Sequence, residues 1–468
     1  MPRPPAASLL AALLLPIALT AQTSFGSLDN AGRRDADRFA EDFKSFLHVG
    51  RTEDAFVAEG IKAAETAGFS EWTADSVASP GAKFYFSNRG RTLITFIVGR
   101  RPVAAGMRVV GTHIDSPHLD LKGRPIKSAG SFVLLQTMPH GGLKTYQWVS
   151  RPLALLGKVY KTDGSVVDIS VGLDPDDPVL VIPDLAPHVD VLQRDRKSRS
   201  VIAGEEMDPI AISRYEDAQS ELQGQIEKLL ADEYDVTIDD LVSAELNIVP
   251  ADPPRDVGLD RALIGVYGLD DRAGSYPALR ALLDLETPEY TAVAYLTDNE
   301  ESGSNNNTGA KSAAFNDLVA EVIARQEGDG FNDLLVRRAL RATYALSIDM
   351  NPGLHPIWPS ALEAENAPRI GHGPSFKLYG RGNSPNAEFT AKMRKLFDDH
   401  KLPWQVMTYK VGVGGGGTIG GFLSDDNMEV LDMGLPILSM HSPFELVAKT
   451  DVFVLYRALG AFYESSWD

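Results

Sequence analysis

Residues 109–115 of this 468-residue chain read Val-Val-Gly-Thr-His-Ile-Asp, an apolar run that ends in a histidine and an aspartate. A short apolar run bounded by polar residues is typical of a buried strand. Four later segments have the same form and close on carboxylates or on a histidine. They are 268–271 (Gly-Leu-Asp-Asp), 294–301 (Ala-Tyr-Leu-Thr-Asp-Asn-Glu-Glu), 346–349 (Leu-Ser-Ile-Asp) and 438–441 (Leu-Ser-Met-His).

The segments around these motifs alternate between the helical and the strand pattern. The sequence predicts strands at 290–296 and 344–348, and helices at 271–285, 310–325, 330–341, 387–398 and 453–463. Such alternation favours a mainly parallel sheet covered by helices on both faces, which is an α/β fold. Ligands of such sheets gather at the carboxyl ends of the strands, so we expect all five motifs to lie at such ends.

The stretch 122–257 differs, because its short β-like runs are punctuated by Gly, Pro and Asp and it contains no ligand-like strand end. We interpret it as a β-rich domain inserted into the α/β domain, which would comprise 30–121 and 258–468. Residues 1–21 carry Arg3, an apolar stretch and a small residue at the end, the pattern of a secretory signal peptide. The expected location is therefore periplasmic or secreted, and cytoplasmic if this segment is not a signal.

Composition excludes several classes of function. The net charge of −19 argues against nucleic acid as a partner, since phosphate binding requires a basic surface. The apolar stretch near the N-terminus is too short for a comfortable transmembrane span, so no stable membrane insertion is expected. The absence of cysteine excludes thiolate metal ligands and cysteine nucleophiles.

The five motifs together offer the ligands of a metal-dependent hydrolase. Zinc binds imidazole nitrogen and carboxylate oxygen, and two-metal hydrolases use one carboxylate to bridge the ions. The candidate metal ligands are His113, Asp270, Glu301, Asp349 and His441.

Two further residues are candidates for catalysis. Asp115 lies two positions beyond His113, where it can accept the other imidazole N–H and fix the tautomer. Glu300 precedes Glu301 and can act as general base on a metal-activated water. Taken singly, His113 could be a core histidine, Asp270 a helix N-cap, and Glu300-Glu301 a solvated pair. Together, and in this order along the chain, these residues favour a metal-binding site.

The chain resembles the M18 family of zinc aminopeptidases, specifically its aminopeptidase I-like branch. The matching segments run in the family's order. They are 113–117 (His-Ile-Asp-Ser-Pro), 146–148 (Tyr-Gln-Trp), 151–155 (Arg-Pro-Leu-Ala-Leu), 268–271, 298–304 (Asp-Asn-Glu-Glu-Ser-Gly-Ser), 347–350 (Ser-Ile-Asp-Met), 415–420 (Gly-Gly-Gly-Thr-Ile-Gly) and 440–445 (Met-His-Ser-Pro-Phe-Glu).

The resemblance implies a three-layer, phosphorylase/hydrolase-like α/β/α metallopeptidase domain with an inserted β-rich dimerisation domain. It implies two Zn²⁺ per subunit, with Co²⁺ or Mn²⁺ as alternatives, and a homo-oligomer that in the family is a tetrahedral dodecamer. One ion would take His113 and Asp349, the other Glu301 and His441, with Asp270 bridging. The family more often has Asp-Asn where this chain has Asp270-Asp271, so which aspartate bridges stays open.

Some residues keep two interpretations. Lys377 matches a family lysine near the substrate site, although a solvated lysine fits the sequence nearly as well. His355 also matches a family pattern and is a candidate substrate-binding residue without an assigned role. His118 and His140 are interpreted as structural or exposed rather than as ligands.

The predicted function is a dinuclear zinc aminopeptidase that removes the N-terminal residue from peptides with a free N-terminus. A first alternative is another dinuclear amidohydrolase, a deacylase or a carboxypeptidase-like enzyme, since a fold does not fix its substrate. A second alternative is a non-catalytic scaffold.

Overall fold

The computed structural model describes residues 22–213, 222–379 and 384–467; the predicted signal peptide lies outside them. The described helices are α1 (Ser24–Ser27), α2 (Asn30–Val49), α3 (Glu53–Thr66), α4 (Leu222–Tyr234), α5 (Leu269–Leu283), α6 (Ala314–Glu327), α7 (Asp333–Arg341), α8 (Ala387–Asp399), α9 (Gly420–Asp425) and α10 (Lys449–Tyr463). None of them combines the length and the apolar character that crossing a bilayer requires.

The described strands fall into four sheets. In chain order they are β1 (Ser70–Glu71), β2 (Lys83–Asn88), β3 (Thr92–Ile97), β4 (Met107–His113), β5 (His118–Ala129), β6 (Phe132–His140), β7 (Leu153–Tyr160), β8 (Val166–Val171), β9 (Ile210–Ile212), β10 (Ala244–Pro250), β11 (Arg255–Val257), β12 (Leu263–Val266), β13 (Thr291–Thr297), β14 (Tyr344–Ile348), β15 (Asn351–Pro352), β16 (Ser375–Lys377), β17 (Gln405–Met407), β18 (Glu429–Gly434), β19 (Pro436–Ile437) and β20 (Glu445–Ala448).

The largest sheet has the order β1-β2-β3-β13-β4-β14-β18-β16-β17. Its centre, from β13 through β4 and β14 to β18, is parallel, while β3 and β16 pair antiparallel with their inner neighbours. Strands β4 and β13 are buried along their whole length because one apolar core with α2, α3, α5, α8 and α10 covers one face and a second core with α6 and α7 covers the other. The predicted α/β/α architecture is thus confirmed, with antiparallel additions on both sides of the parallel centre.

Helix α2 shows how local sequence places an element on this sheet. The Asp29 side chain accepts a hydrogen bond from the Gly32 amide and so caps the first turn. Ala36, Phe39 and Phe43 recur at helical spacing and are buried. Phe39 packs against rings of the neighbouring helices α5 and α10, so this apolar stripe fixes the helix on the sheet.

A second sheet, the inserted sheet, consists of β5 to β10 and lies almost wholly within the stretch predicted as an inserted domain. Its order is β8-β7-β10-β5-β6-β9, and every pairing in it is antiparallel. It begins at β5, four residues before the predicted border at 122, because β5 continues directly from the segment that follows β4. Helix α4 packs over β5 and β6 through Ile226 and Leu230.

Two of the five motifs do not follow strands of the large sheet, contrary to the prediction. Asp270 follows β12, which pairs antiparallel with β11 and β20 in a three-stranded sheet. His441 follows β19, a two-residue strand that forms a two-stranded sheet with β15 among the described residues. Short apolar runs have the same pattern in a central sheet and in these small sheets, so the sequence could not separate the two cases.

Candidate metal centre

The five predicted ligands lie close together beside the carboxyl ends of the three central strands. His113, Glu301 and Asp349 follow β4, β13 and β14, which are adjacent and parallel. The His113 Nε2 atom is 3.6 Å from Asp270 Oδ1 and 3.9 Å from Asp349 Oδ1. The His441 Nε2 atom is 3.2 Å from both Asp270 Oδ2 and Glu301 Oε1. The result is two potential metal-binding groups that share Asp270.

The geometry distinguishes the two neighbouring aspartates. Asp270 directs one carboxylate oxygen toward each group, whereas Asp271 Oδ2 accepts a hydrogen bond from the His113 amide at 3.3 Å. Burial raises the pKa of Asp271 well above its usual range, which opposes a negative charge on this carboxyl group. Of the two aspartates, Asp270 is therefore the one that faces both groups.

Asp115 organises the loop that carries both acidic residues of the β13 motif. Its two carboxylate oxygens accept hydrogen bonds from the backbone amides of Glu300 and Glu301, each at 3.0 Å. The His113 Nδ1 atom lies 3.3 Å from Asp115 Oδ1 and 3.0 Å from the Asp115 carbonyl oxygen. Although burial opposes ionisation, hydrogen bonds with His113 and His140 hold the pKa of Asp115 well below its usual range.

Glu300 lies beside the two groups but is not part of either. Burial raises the pKa of its carboxyl to about 8; His113 partly opposes this rise, and the negative charge of Asp349 adds to it. A carboxyl group whose pKa lies near physiological pH can both take up and release a proton there.

Glu445, at the start of β20, has a role that the sequence did not reveal. One of its oxygens accepts a hydrogen bond from the His441 amide at 2.6 Å, and the other accepts one from the Asp270 amide at 3.1 Å. It thereby joins the two ligand segments that come from the small sheets. The available signal was an acidic residue opening the otherwise apolar run 445–448, which is weak because such residues are common at strand ends.

The two candidate substrate residues lie in different surroundings. Lys377 ends β16 and is buried rather than solvated, with its Nζ 3.6 Å from Asp349 Oδ2. His355 lies in the loop after β15, where its Nδ1 accepts hydrogen bonds from the amides of Ile357 and Trp358. It is not part of either metal group, and its ring packs on that of Trp358.

The donor set fits zinc. Asp270 Oδ1 and Glu301 Oε1 are buried without a hydrogen-bond partner among the described residues. An unpaired buried carboxylate oxygen is costly, and a cation at this place removes the cost. Imidazole nitrogens with carboxylate oxygens are zinc's usual ligands in hydrolytic sites.

Comparison with known proteins agrees with this geometry. A family profile described as "Aminopeptidase I zinc metalloprotease (M18)" matches residues 42–463. The chain belongs to the M18 family of aminopeptidases. It is therefore a metallopeptidase, a hydrolase that acts on peptides, and zinc is the metal of its family.

Relatives of this M18 chain cover almost its whole length. A probable M18 family aminopeptidase 1 from Borrelia garinii subsp. bavariensis is 36% identical over 456 residues, which are 95% of this chain and 99% of the relative. One from Thermotoga maritima is 36% identical over 440 residues, covering 91% and 96%.

Solved structures give the same fold. The M18 aminopeptidase from Thermotoga maritima superposes with a TM-score of 0.90 and 34% identity, over 95% of this chain and 99% of that one. A more distant structure, the mApe1 dodecamer of S. cerevisiae, has a TM-score of 0.75 and 22% identity over 92% and 97% of the two chains.

Proposed function

We propose that this M18 aminopeptidase is dinuclear. One ion is held by His113 and Asp349, the other by Glu301 and His441, and Asp270 bridges them. The observation that carries the proposal is that the two ligand groups share Asp270, with a different oxygen facing each group. The bound ions would supply Lewis acidity, which polarises a carbonyl group and lowers the pKa of water.

Glu300 acts as the general base in this proposal. Its buried carboxylate accepts a proton from the attacking water and then delivers it to the leaving amine. Asp115 holds the backbone of Glu300 and Glu301 through its two hydrogen bonds, so base and ligand keep a fixed relative position. The raised pKa of Glu300 supports this role, because it makes both proton transfers accessible near neutral pH.

The substrate is a peptide with a free N-terminus, and the buried Lys377 beside Asp349 is proposed to face the bound substrate. His355 remains a candidate substrate-binding residue. We also propose that the chain is exported by residues 1–21, that 122–257 forms a domain for dimerisation, and that the assembly is a homo-oligomer. The dodecamer of the distant relative supports an assembly of this kind.

The test is hydrolysis of a panel of aminoacyl-arylamides by the purified protein, with and without chelator. Each substrate is paired with its N-acetylated form. We expect release that requires the free α-amine, is lost with chelator and returns with Zn²⁺. Equal release of arylamine from the acetylated substrates would instead indicate an amidohydrolase that does not require a free N-terminus. No release from protein that holds two ions per subunit would overturn the proposal.

A further inference from the structure

A second cluster of histidine and acidic side chains lies on the inserted sheet, outside the dinuclear centre. It consists of His118 and Asp120 on β5, His140 on β6 and Asn247 on β10. The register places His118 opposite His140, and Asn247 opposite Asp120. Because side chains two residues apart on a strand share a face, three neighbouring strands bring these four groups together on one face.

Hydrogen bonds orient both imidazoles. The His118 Nδ1 atom lies 2.8 Å from the Ser116 carbonyl oxygen, which can only accept, so this nitrogen carries the proton. The His140 Nε2 atom lies 3.2 Å from Asp115 Oδ2, likewise an acceptor. The remaining nitrogens, His118 Nε2 and His140 Nδ1, both face Asp120. Metal-binding histidines are held in this way by an acceptor on the nitrogen that does not bind the ion.

The nitrogen and oxygen atoms that meet at Asp120 lie about as close together as those in the dinuclear centre, one pair somewhat closer. His118 Nε2 is 2.9 Å from Asp120 Oδ1, and His140 Nδ1 is 3.7 Å from Asp120 Oδ2. In the dinuclear centre the corresponding nitrogen-to-oxygen distances run from 3.2 to 3.9 Å. The amide of Asn247 also contacts both His118 Nε2 and Asp120 Oδ1, and turned by 180° it presents its oxygen there.

The surroundings are negatively charged, which attracts a cation, and the cluster is accessible to solvent on one side. The Glu53 carboxylate is buried 3.9 Å from His118 Nδ1, and the buried Asp115 carboxylate lies on the far side of His140. Burial opposes a charge on His140, but hydrogen bonds to Asp115 and Asp120 outweigh it and raise the pKa of His140 to about 10, so an ion that binds there displaces a proton from His140. The side chain of Asp120 is 44% exposed, so the cluster opens to solvent on that side.

We propose that His118, His140 and Asp120, with the amide of Asn247, bind a third divalent transition-metal ion, Zn²⁺ or one of similar ligand preference. The two imidazoles lie parallel, with centroids 4.4 Å apart. They must therefore tilt toward each other about the Cβ–Cγ bond, a torsion with a broad range for histidine. The ion would fasten the inserted sheet to Asp115 through His140. The proposal is independent of the dinuclear mechanism, because the two centres share no ligand.

The first experiment is a crystal of the full chain grown with three equivalents of Zn²⁺ per subunit, with an anomalous difference map at the zinc edge. We expect one peak between His118, His140 and Asp120 in addition to those near Asp270. The map tests the third ion separately from the dinuclear centre, because each bound ion gives its own peak. Peaks near Asp270 with none at the second cluster would overturn the proposal and leave His140 as an imidazolium between two carboxylates.

The second experiment measures zinc per subunit in solution after gel filtration. Wild type is expected to retain one more equivalent than Asp120→Asn and His140→Gln. Asp168→Asn serves as the matched control, since this aspartate is exposed on β8 of the same sheet and forms an ion pair with Lys158. Equal zinc content in wild type and in both cluster variants would contradict the proposal.

Discussion

The two sheets of this molecule each gather histidine and carboxylate side chains, but they do so in different ways. In the large sheet, His113, Glu301 and Asp349 stand at or just after the ends of parallel strands. In the inserted sheet, His118 opens β5 and His140 closes β6, where the two pair across antiparallel strands, and Asp120 shares their face. Parallel strand ends collect loops from distant parts of the chain, which can move to admit substrate. A sheet face sets its spacing by register and suits a fixed, structural ion.

The largest expected effect is a loss of catalysis, which we expect from a substitution beside the large sheet and not from one on the inserted sheet. Glu300→Gln keeps the shape of the side chain but removes the base, so we expect kcat to fall by about 10²–10⁴-fold. Steady-state kinetics with an aminoacyl-arylamide provides the measurement, and zinc content should stay unchanged. The matched control is Glu245→Gln on the inserted sheet, where the carboxylate is exposed and pairs with Arg91. A similar loss in both variants would contradict a specific role for the β13 loop.

Ion pairs give a second contrast between the two regions, because burial changes how much an ion pair contributes to the free energy of unfolding. Asp256 is nearly buried between Lys44 and Lys449, at 2.7 and 2.8 Å, and these pairs tie β11 to α2 and α10. Asp168 pairs with Lys158 on the solvent side of the inserted sheet. We expect Asp256→Asn to lower the free energy of unfolding by about 3 kcal/mol. The effect of Asp168→Asn should lie below about 1 kcal/mol. Denaturant titration of both variants measures the difference.

The same pair predicts a pH dependence. Although burial opposes ionisation, hydrogen bonds from Lys44 and Lys449 hold the pKa of Asp256 below its ordinary value of 3.8. The unfolded chain therefore takes up this proton first as the pH falls. The stabilisation is complete above about pH 4 and is lost as the pH falls through the folded-state pKa. The stability gap between wild type and Asp256→Asn should thus narrow in acid, and a constant gap would contradict the assignment.

The smallest effect concerns buried carboxylates that hold backbone amides. Asp115→Asn replaces one carboxylate oxygen by an amide NH2, so at least one of the contacts with the Glu300 amide, the Glu301 amide and the His113 imidazole loses its acceptor. We therefore expect kcat/KM to fall by about 10–100-fold. Asp208 is the counterpart in the inserted sheet, where it is buried and accepts from the Thr137 amide and Lys127. Asp208→Asn should leave kcat/KM within about twofold. Kinetics and zinc content of both variants test the comparison.

Residue pattern predicted much of this architecture. The strand-end form of 109–115, 294–301 and 346–349 correctly indicated β4, β13 and β14, because runs buried on both faces are apolar until the chain leaves the sheet. The same form was wrong for the motifs at 268–271 and 438–441, which belong to small sheets. Strand length and pairing depend on partners distant in sequence, and a single apolar run does not encode them.

Residues that act through others were harder to predict. Glu445 joins Asp270 and His441 through backbone amides, and His140 donates to Asp115 across the two sheets. Neither residue lies in a motif whose residue types indicate its hydrogen-bond partner. Their partners are set by β20 pairing with β12 and by the register of β5 on β6. A backbone amide is identical at every position, so no sequence pattern marks which one a carboxylate will accept.

The sequence by itself indicated the fold class, the family and the set of candidate ligand residues, because burial and metal affinity follow from residue type. Only the tertiary structure decided that Asp270 rather than Asp271 faces both ligand groups, and that Lys377 is buried beside Asp349. It also placed His118, His140 and Asp120 on one sheet face. These outcomes depend on where a side chain points and on distances of a few ångströms, which strand register and loop conformation fix.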